Sequence, residues 1–442
     1  MCPICRYFAN RRKRACQSFI SESISRLKLL VKIFLILSFL HFSFVTVAQD
    51  SVPVTKTRKF FSYDSLNQVD VVDIARQIFR KKTNLPKSTV SVAPSRIHVT
   101  AVPAAGYSLQ TGWAGILSAN IAFMNGLRDN ISTVTTSFTY SQYKQFIVPL
   151  HANIWSKNGK YNFQSEWRFL KYPSFTYGLG TRTTLNDGYM IDYSYLRMQQ
   201  NLSRKIGRDL YAGLGFHLDL YWNIEETDPP TNTKTDFQNY GLSSKETAVG
   251  PAFNLLYDSR KNPINPENGN YFEVSYRPKF KFMGSDANWQ ALLIDYRLYK
   301  NFPAHTHNIF AVWSYNWLTF GGKPPYLLLP STGWDAFVNT GRGFIQGRYR
   351  GSDMLYGEAE YRFGITSNGL FGGVIFANAE TFSTRNTTLE SKSLKSFDPL
   401  QPGYGAGIRI KINKFSGANL CIDYGWGTKG SRGVAVNLGE VF

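Results

Sequence analysis

Cysteine is nearly missing from this 442-residue chain: Cys2, Cys5 and Cys16 stand near the start, and only Cys421 follows. A chain that loses its first segment therefore keeps no pair with which to close an internal disulfide. Cys2-Pro3-Ile4-Cys5 also lacks a second pair of ligands for zinc. Histidine is scarce as well. Past residue 48 there are His98, His151, His217, His305 and His307, none at a spacing from Cys, Asp or Glu that would build a zinc site. After residue 47 there is no long apolar run, so no further membrane-spanning helix is expected. Acids are few too, 30 against 50 Lys and Arg, for a formal net charge of +20.

Part of that charge sits in residues 1–48. Arg6, Arg11, Arg12, Lys13, Arg14, Arg26, Lys28 and Lys32 precede the apolar run Ile33 to Val47, and Val45-Thr46-Val47-Ala48 offers a small-residue cleavage site. This reads as a signal peptide, 1–48, with a long basic front. Its removal takes away eight basic residues and one acid, leaving a net +13. An exported chain rarely meets nucleic acid, so anionic lipid or an acidic partner is the expected counterpart.

What the rest of the chain has is alternation. In residues 209–223, Leu210, Ala212, Leu214, Phe216, Leu218, Leu220 and Trp222 share one face, while Tyr211, Gly213, Gly215, His217, Asp219, Tyr221 and Asn223 share the other. One wholly apolar face on so long a strand suits a tilted crossing of a bilayer. The same period recurs at 269–280, 308–318 and 403–413. Counting such segments predicts sixteen strands between residues 97 and 442. The long connections, near 172–187, 225–245, 321–353 and 383–402, all follow odd-numbered strands. A barrel with both ends in the periplasm has this parity, long loops outside and tight turns inside. The expected fold is therefore an all-β, 16-stranded antiparallel transmembrane β-barrel over 96–442, in the bacterial outer membrane. Residues 49–95 form a short periplasmic segment with an amphipathic helix expected over Val71 to Lys82. A further signal is Phe442, which follows Val434, Val436 and Leu438 on one face as an aromatic membrane-insertion signal, although Glu440 breaks the alternation.

The longest of these connections carries Gly341-Arg342-Gly343-Phe344-Ile345-Gln346-Gly347-Arg348-Tyr349-Arg350-Gly351, three arginines among four glycines. Its glycines let the backbone fold closely, and its guanidinium groups are free to fork onto carboxylates. Strand phase puts Tyr356, Glu358, Glu360 and Arg362 on the inner face of the twelfth strand. His217 and Asp219 also face inward; polar lining explains them more simply than a hydrolase does, and no enzyme, cofactor or metal is expected.

Two motifs carry a resemblance. Arg342-Gly343-Phe344, between the eleventh and twelfth strands, resembles the Arg-Gly-aromatic motif of the sixth extracellular loop in the BamA/TamA-type outer-membrane barrel superfamily, the bacterial surface antigen family. Asp258-Ser259-Arg260-Lys261-Asn262-Pro263, ahead of the ninth strand, resembles that superfamily's Asp-x-Arg-x-x-Pro turn. The resemblance implies that the long loop folds into the lumen, where Arg342 pairs with acids of the twelfth and thirteenth strands. The family's thirteenth strand reads Phe-x-Asp-x-Gly. Here Phe376-Ala377-Asn378-Ala379-Glu380 has Asn for Asp and Glu for Gly, which weakens the lock or moves its charge to Glu380. Residues 49–95 are too few for one POTRA module, so a barrel-only member is expected. The implied function is insertion or translocation of protein, or of lipid, at the outer membrane. Outer-membrane lipid and lipopolysaccharide, unfolded barrel clients and accessory periplasmic proteins are the expected partners. The alternative is a passive anion-leaning pore, lined by Arg277, Lys279, Arg297, Arg409 and Lys411, or a structural scaffold.

Overall fold

A computed structural model describes residues 68–71, 73–74, 97–108, 110–125, 130–230, 233–241, 243–304, 306–384, 396–414 and 416–442. The expected signal peptide lies outside the described residues. So does most of the expected helix, of which Val71, Asp73 and Ile74 are described and helical.

Sixteen long strands form one antiparallel sheet, curled into a nearly closed barrel. They are β1 Ile97–Ser108, β2 Gly112–Phe123, β3 Ser132–Ser141, β4 Phe146–Trp155, β5 Tyr161–Lys171, β6 Tyr189–Gly207, β7 Leu210–Thr227 and β8 Lys245–Asp258. Then follow β9 Gly269–Lys279, β10 Trp289–Asn301, β11 Ile309–Phe320, β12 Asp353–Gly364, β13 Phe371–Thr384, β14 Gln401–Asn413, β15 Ala418–Gly427 and β16 Arg432–Leu438. Each strand pairs with its neighbours in sequence. Short segments at Ser174–Thr176 and Ser396–Phe397 pair with the first residues of β6 and the last of β13. β1 and β16 lie side by side, and a Cβ placed on Gly106 would come within 3.6 Å of Val436 Cγ2. No ladder register joins these two strands among the described residues, so they form a seam.

The alternation that marks the strands also decides which side faces in. Leu214 is 64% exposed, whereas His217, three residues along the same strand, is fully buried. Val99, Leu117, Phe169, Phe253, Ile375 and Ile408 are likewise exposed, while Arg168, Arg197, Glu246, Asp295, Glu358 and Asp423 are buried. That inverts the arrangement of a soluble domain and matches a barrel whose outer surface meets hydrocarbon. Asn223 is a local exception to the expected phase. The β6–β7 register shifts between Asp192 and Ser194, Asn223 takes φ 54°, and Ile224 turns inward in its place.

At the end with the short turns, the residues ahead of the barrel are tied to its rim. Val69 N donates to Asn368 O (3.0 Å), and Lys414 reaches Asp73 Oδ2 (2.7 Å) while its amide donates to Asp70 Oδ2 (3.0 Å). At the opposite end the connections after β5, β7 and β11 pack over the lumen around Tyr189, Phe237, Tyr326 and Trp334.

Candidate functional site

The connection from Gly321 to Ser352 does not stay outside. It descends into the barrel, and Arg342, near its lowest point, is buried against the wall. Its Nη2 donates to Glu358 Oε1 and Glu360 Oε2 on β12, and its Nη1 donates to Asp423 Oδ2 on β15 at 2.8 Å. The guanidinium also lies over the Phe376 ring of β13, 3.8 Å from its centroid. Asn378 Nδ2, on the same strand, donates to the Arg342 carbonyl at 2.8 Å. One loop side chain thus touches three strands of the wall.

The approach is possible because the wall there has no side chains. Gly343 takes φ +97°, and a Cβ on it would meet the backbone of Trp426 at 2.8 to 2.9 Å. A Cβ on Gly425 would lie 2.6 Å from Gly343, and one on Gly427 would lie 2.6 Å from the Phe344 ring. β14 and β15 therefore present a glycine slot, formed by Gly403, Gly425 and Gly427, into which Gly343 and Phe344 fit.

Arg342 belongs to a larger charge network. Asp423 is shared with Arg409 of β14 (Nη1 to Oδ1, 2.5 Å), and Arg409 Nε donates to Glu440 Oε2 at 2.8 Å. Arg362 bridges Glu360 and Glu440, completing a ring of three guanidinium groups and four carboxylates that is buried throughout. Buried charges persist only when paired and hydrogen-bonded, and removing one member of such a pair costs about 3–5 kcal/mol.

The three loop arginines act differently from one another. Among the described residues, only Arg342 of the three meets carboxylates. Arg348 donates to Thr183 Oγ1 (2.9 Å) and the Thr183 carbonyl (2.6 Å), fixing the connection after β5, and Arg350 donates to the Tyr326 carbonyl at 3.1 Å.

Of the expected lock residues, Arg342, Gly343, Phe344, Glu358, Glu360 and Asn378 come together. Glu380 does not join the guanidinium. Its Oε1 accepts from Thr332 Oγ1 at 2.9 Å, and the third carboxylate is Asp423. Sequence reasoning missed Asp423, although it stands inward in phase with Cys421, Gly425 and Gly427, a run of small residues around one acid.

Phe442 also departs from expectation. β16 ends at Leu438, Gly439 takes φ +96°, and the following residues turn into the barrel rather than along its lipid face. The Phe442 ring stacks on Trp313 with centroids 5.2 Å apart, and its carbonyl accepts from Arg362 at 3.0 Å. Glu440, the residue that breaks the alternation, explains the turn. Its side chain is held by Arg409, Arg362 and Asn419 inside, and its amide donates to Ile264 O in the turn after β8. That turn is itself braced by Asp258, which takes both Nε and Nη2 of Arg260 at about 3 Å. Phe442→Ala should therefore lower the stability of the folded barrel by about 3 kcal/mol, as removal of a buried phenyl ring does. The urea midpoint of Trp fluorescence in detergent measures this; an unchanged midpoint would show that the ring does not pack inside.

Neither a family model nor a curated protein matches the sequence. Solved structures do. The chain is a nearly closed sixteen-stranded barrel similar to those of BamA and CdiB. With BamA from Haemophilus ducreyi lacking POTRA domains 1–3 it shares 14% identity over 84% of this chain and 81% of that one, with a TM-score of 0.46. CdiB from Acinetobacter baumannii gives 13% identity over 78% of this chain (TM-score 0.46), and CdiB from Escherichia coli 10% over 77% (TM-score 0.48). The chain spans about three-fifths of each CdiB.

Proposed function

We propose that this chain is an outer-membrane barrel of the BamA/TamA type, exported to the bacterial outer membrane and taking part there in inserting or translocating polypeptide, with lipopolysaccharide and lipid around its apolar face. The observation that carries the reading is Arg342, seated on Glu358, Glu360 and Asp423 with Gly343 in a glycine slot. A connection serving only as a surface loop has no use for a buried guanidinium bound to strands on either side of β13. Held this way, the loop occupies part of the lumen and ties β12, β13 and β15 together from inside.

The pore reading draws less support from the lining. Arg297 is paired with Asp295 (2.6 Å) and Arg409 with Asp423 and Glu440, so neither presents a free cation to a passing anion. Reconstitution into liposomes tests the proposal. The full chain should accelerate the insertion of a urea-unfolded small β-barrel over empty liposomes. If insertion stays at the empty-liposome rate, the assembly reading fails, and conductance across a planar bilayer tests the pore.

A further inference from the structure

The turns after β4 and β6 lie side by side on the rim that carries the short connections, and both are held in place. Lys205 N donates to the Lys160 carbonyl at 2.9 Å, the Tyr211 hydroxyl to the Gly159 carbonyl at 3.0 Å, and Tyr161 N to Ser156 Oγ at 2.8 Å. These turns and the strand ends beside them carry five exposed cations, Lys157, Lys160, Arg204, Lys205 and Arg208, against one acid, Asp209, which lies 3.8 Å from Arg208. The rim is not basic all round. Residues 365–370, the turn after β12, include no charged residue, and Lys414 in the turn after β14 is held by Asp73 at 2.7 Å.

The direction of Arg204 decides what this cluster meets. Along β6, Arg197, Gln199, Asn201 and Ser203 are buried, so Leu202, Arg204 and Ile206 share the outward face; Leu202 is 55% exposed and Ile206 59%. In the ladder Arg204 stands between Tyr161 of β5 and Ala212 of β7, and Lys160 Nζ lies over the Tyr161 ring, 5.5 Å from its centroid. One step up, about 7 Å along the strand, the row is Phe163, Leu202 and Leu214, apolar throughout. Arg204 therefore sits where the hydrocarbon ends, beside an aromatic ring of the kind that marks that boundary. Among the described residues it makes no hydrogen bond or ion pair. A guanidinium placed there is stabilised by an anion from outside the chain.

We propose that Arg204, Lys160 and Tyr161 bind the phosphodiester headgroup of an anionic phospholipid in the leaflet at the short-turn rim, with Lys157 and Arg208 adding charge from the turns; this rests on the membrane-barrel reading above and not on insertion activity. The surface fits an amphiphile. Arg204 forks onto phosphate oxygens, while Leu202, Ile206 and Leu214 beside it meet the acyl chains. An acidic soluble protein reaches Lys157 and Arg208 on the turns but not Arg204, whose side chain leaves the wall toward the bilayer. A headgroup that carries its own ammonium brings a like charge to the cluster, so a net anionic one is preferred.

The test titrates the full chain, folded in detergent, with phosphatidylglycerol or phosphatidylcholine and counts bound lipid by native mass spectrometry. Phosphatidylglycerol should be retained in preference, and the double variant Lys160→Gln, Arg204→Gln should bind it at least about tenfold more weakly, with each single change giving part of that loss. Lys171→Gln removes an exposed lysine from the other end of β5 and should bind as the wild type does. Glycerol phosphate in excess should not displace the lipid, since it has no acyl chains. Equal or no retention of the two lipids, unchanged binding by the folded variants, an equal loss in Lys171→Gln, or displacement by glycerol phosphate would each overturn the lipid site. Heat-modifiable migration reports folding throughout. If the wild-type chain does not fold into liposomes, the membrane reading itself falls; a folded barrel without lipid preference sinks this site alone.

Discussion

Arg342→Ala is expected to leave the barrel folded but less stable by about 3–5 kcal/mol, because three buried carboxylates lose the cation they share. Glu358 and Glu360 face the same guanidinium from one strand, so removing it turns a bridged pair into like charges side by side. Asp423 keeps Arg409 and Glu360 keeps Arg362, so Glu358, which has no second cation among the described residues, is affected most. Arg342→Lys should recover only part of the loss, since one ammonium cannot fork to carboxylates on β12 and β15 at once. The urea midpoint of the folded barrel reads the stability. Trypsin reads the loop: Arg342, Arg348 and Arg350 are buried in the wild type, and a loop released from the wall exposes the latter two. Client insertion should fall at least about tenfold, the rate equivalent of about 1.4 kcal/mol in the barrier. An Arg342→Ala protein that resists trypsin and inserts client at the wild-type rate would show that the ion pairs neither hold the loop nor serve the activity.

Much of this was legible in the sequence because period 2 is a strong signal when one side of a strand meets hydrocarbon. That period put Glu358, Glu360 and Arg362 inside, and the parity of long and short connections placed the long loop at its position between β11 and β12. What was not legible depends on contacts that no local pattern records. Asp423 becomes a lock residue because β15 faces the loop across the lumen, and the glycines beside it matter only once Gly343 is pressed against them. Glu380 was the nearer candidate along the chain, yet Thr332 lies closer to it in the fold than Arg342 does. The inward turn of Phe442 left one trace, the charge of Glu440 on an otherwise apolar face. A single acid cannot say whether a strand bends or merely tolerates it; the answer came from Arg362 and Arg409, whose positions the tail's own sequence does not contain. The bulge at Asn223 is of the same kind, since register is a property of two strands.

Gly425→Val should reproduce the loop release of Arg342→Ala without touching a charge. A Cβ at this position would lie 2.6 Å from both N and Cα of Gly343, and the obstructing atoms are backbone, which cannot rotate away. Either β15 moves outward or the loop leaves the slot, and the ladders of β15 with β14 and β16 oppose the first. Overpacking of this sort costs about 1–3 kcal/mol where the structure cannot relax. Here the loop can relax, so the loss should appear as trypsin cleavage at Arg348 and slowed client insertion more than as a lower unfolding midpoint. The same reasoning supplies its control. A Cβ on Gly357 or Gly115 meets nothing within 4 Å, so Gly357→Val and Gly115→Val should leave both loop and activity intact, with the better β-propensity of valine favouring the strand. Because Gly425→Val and Arg342→Ala act on one seating event, their combination should be no worse than the more damaging single change, whereas independent sites would add. Equal loop protection in Gly425→Val and Gly357→Val would mean that the slot does not hold the loop, and that the charge network alone does.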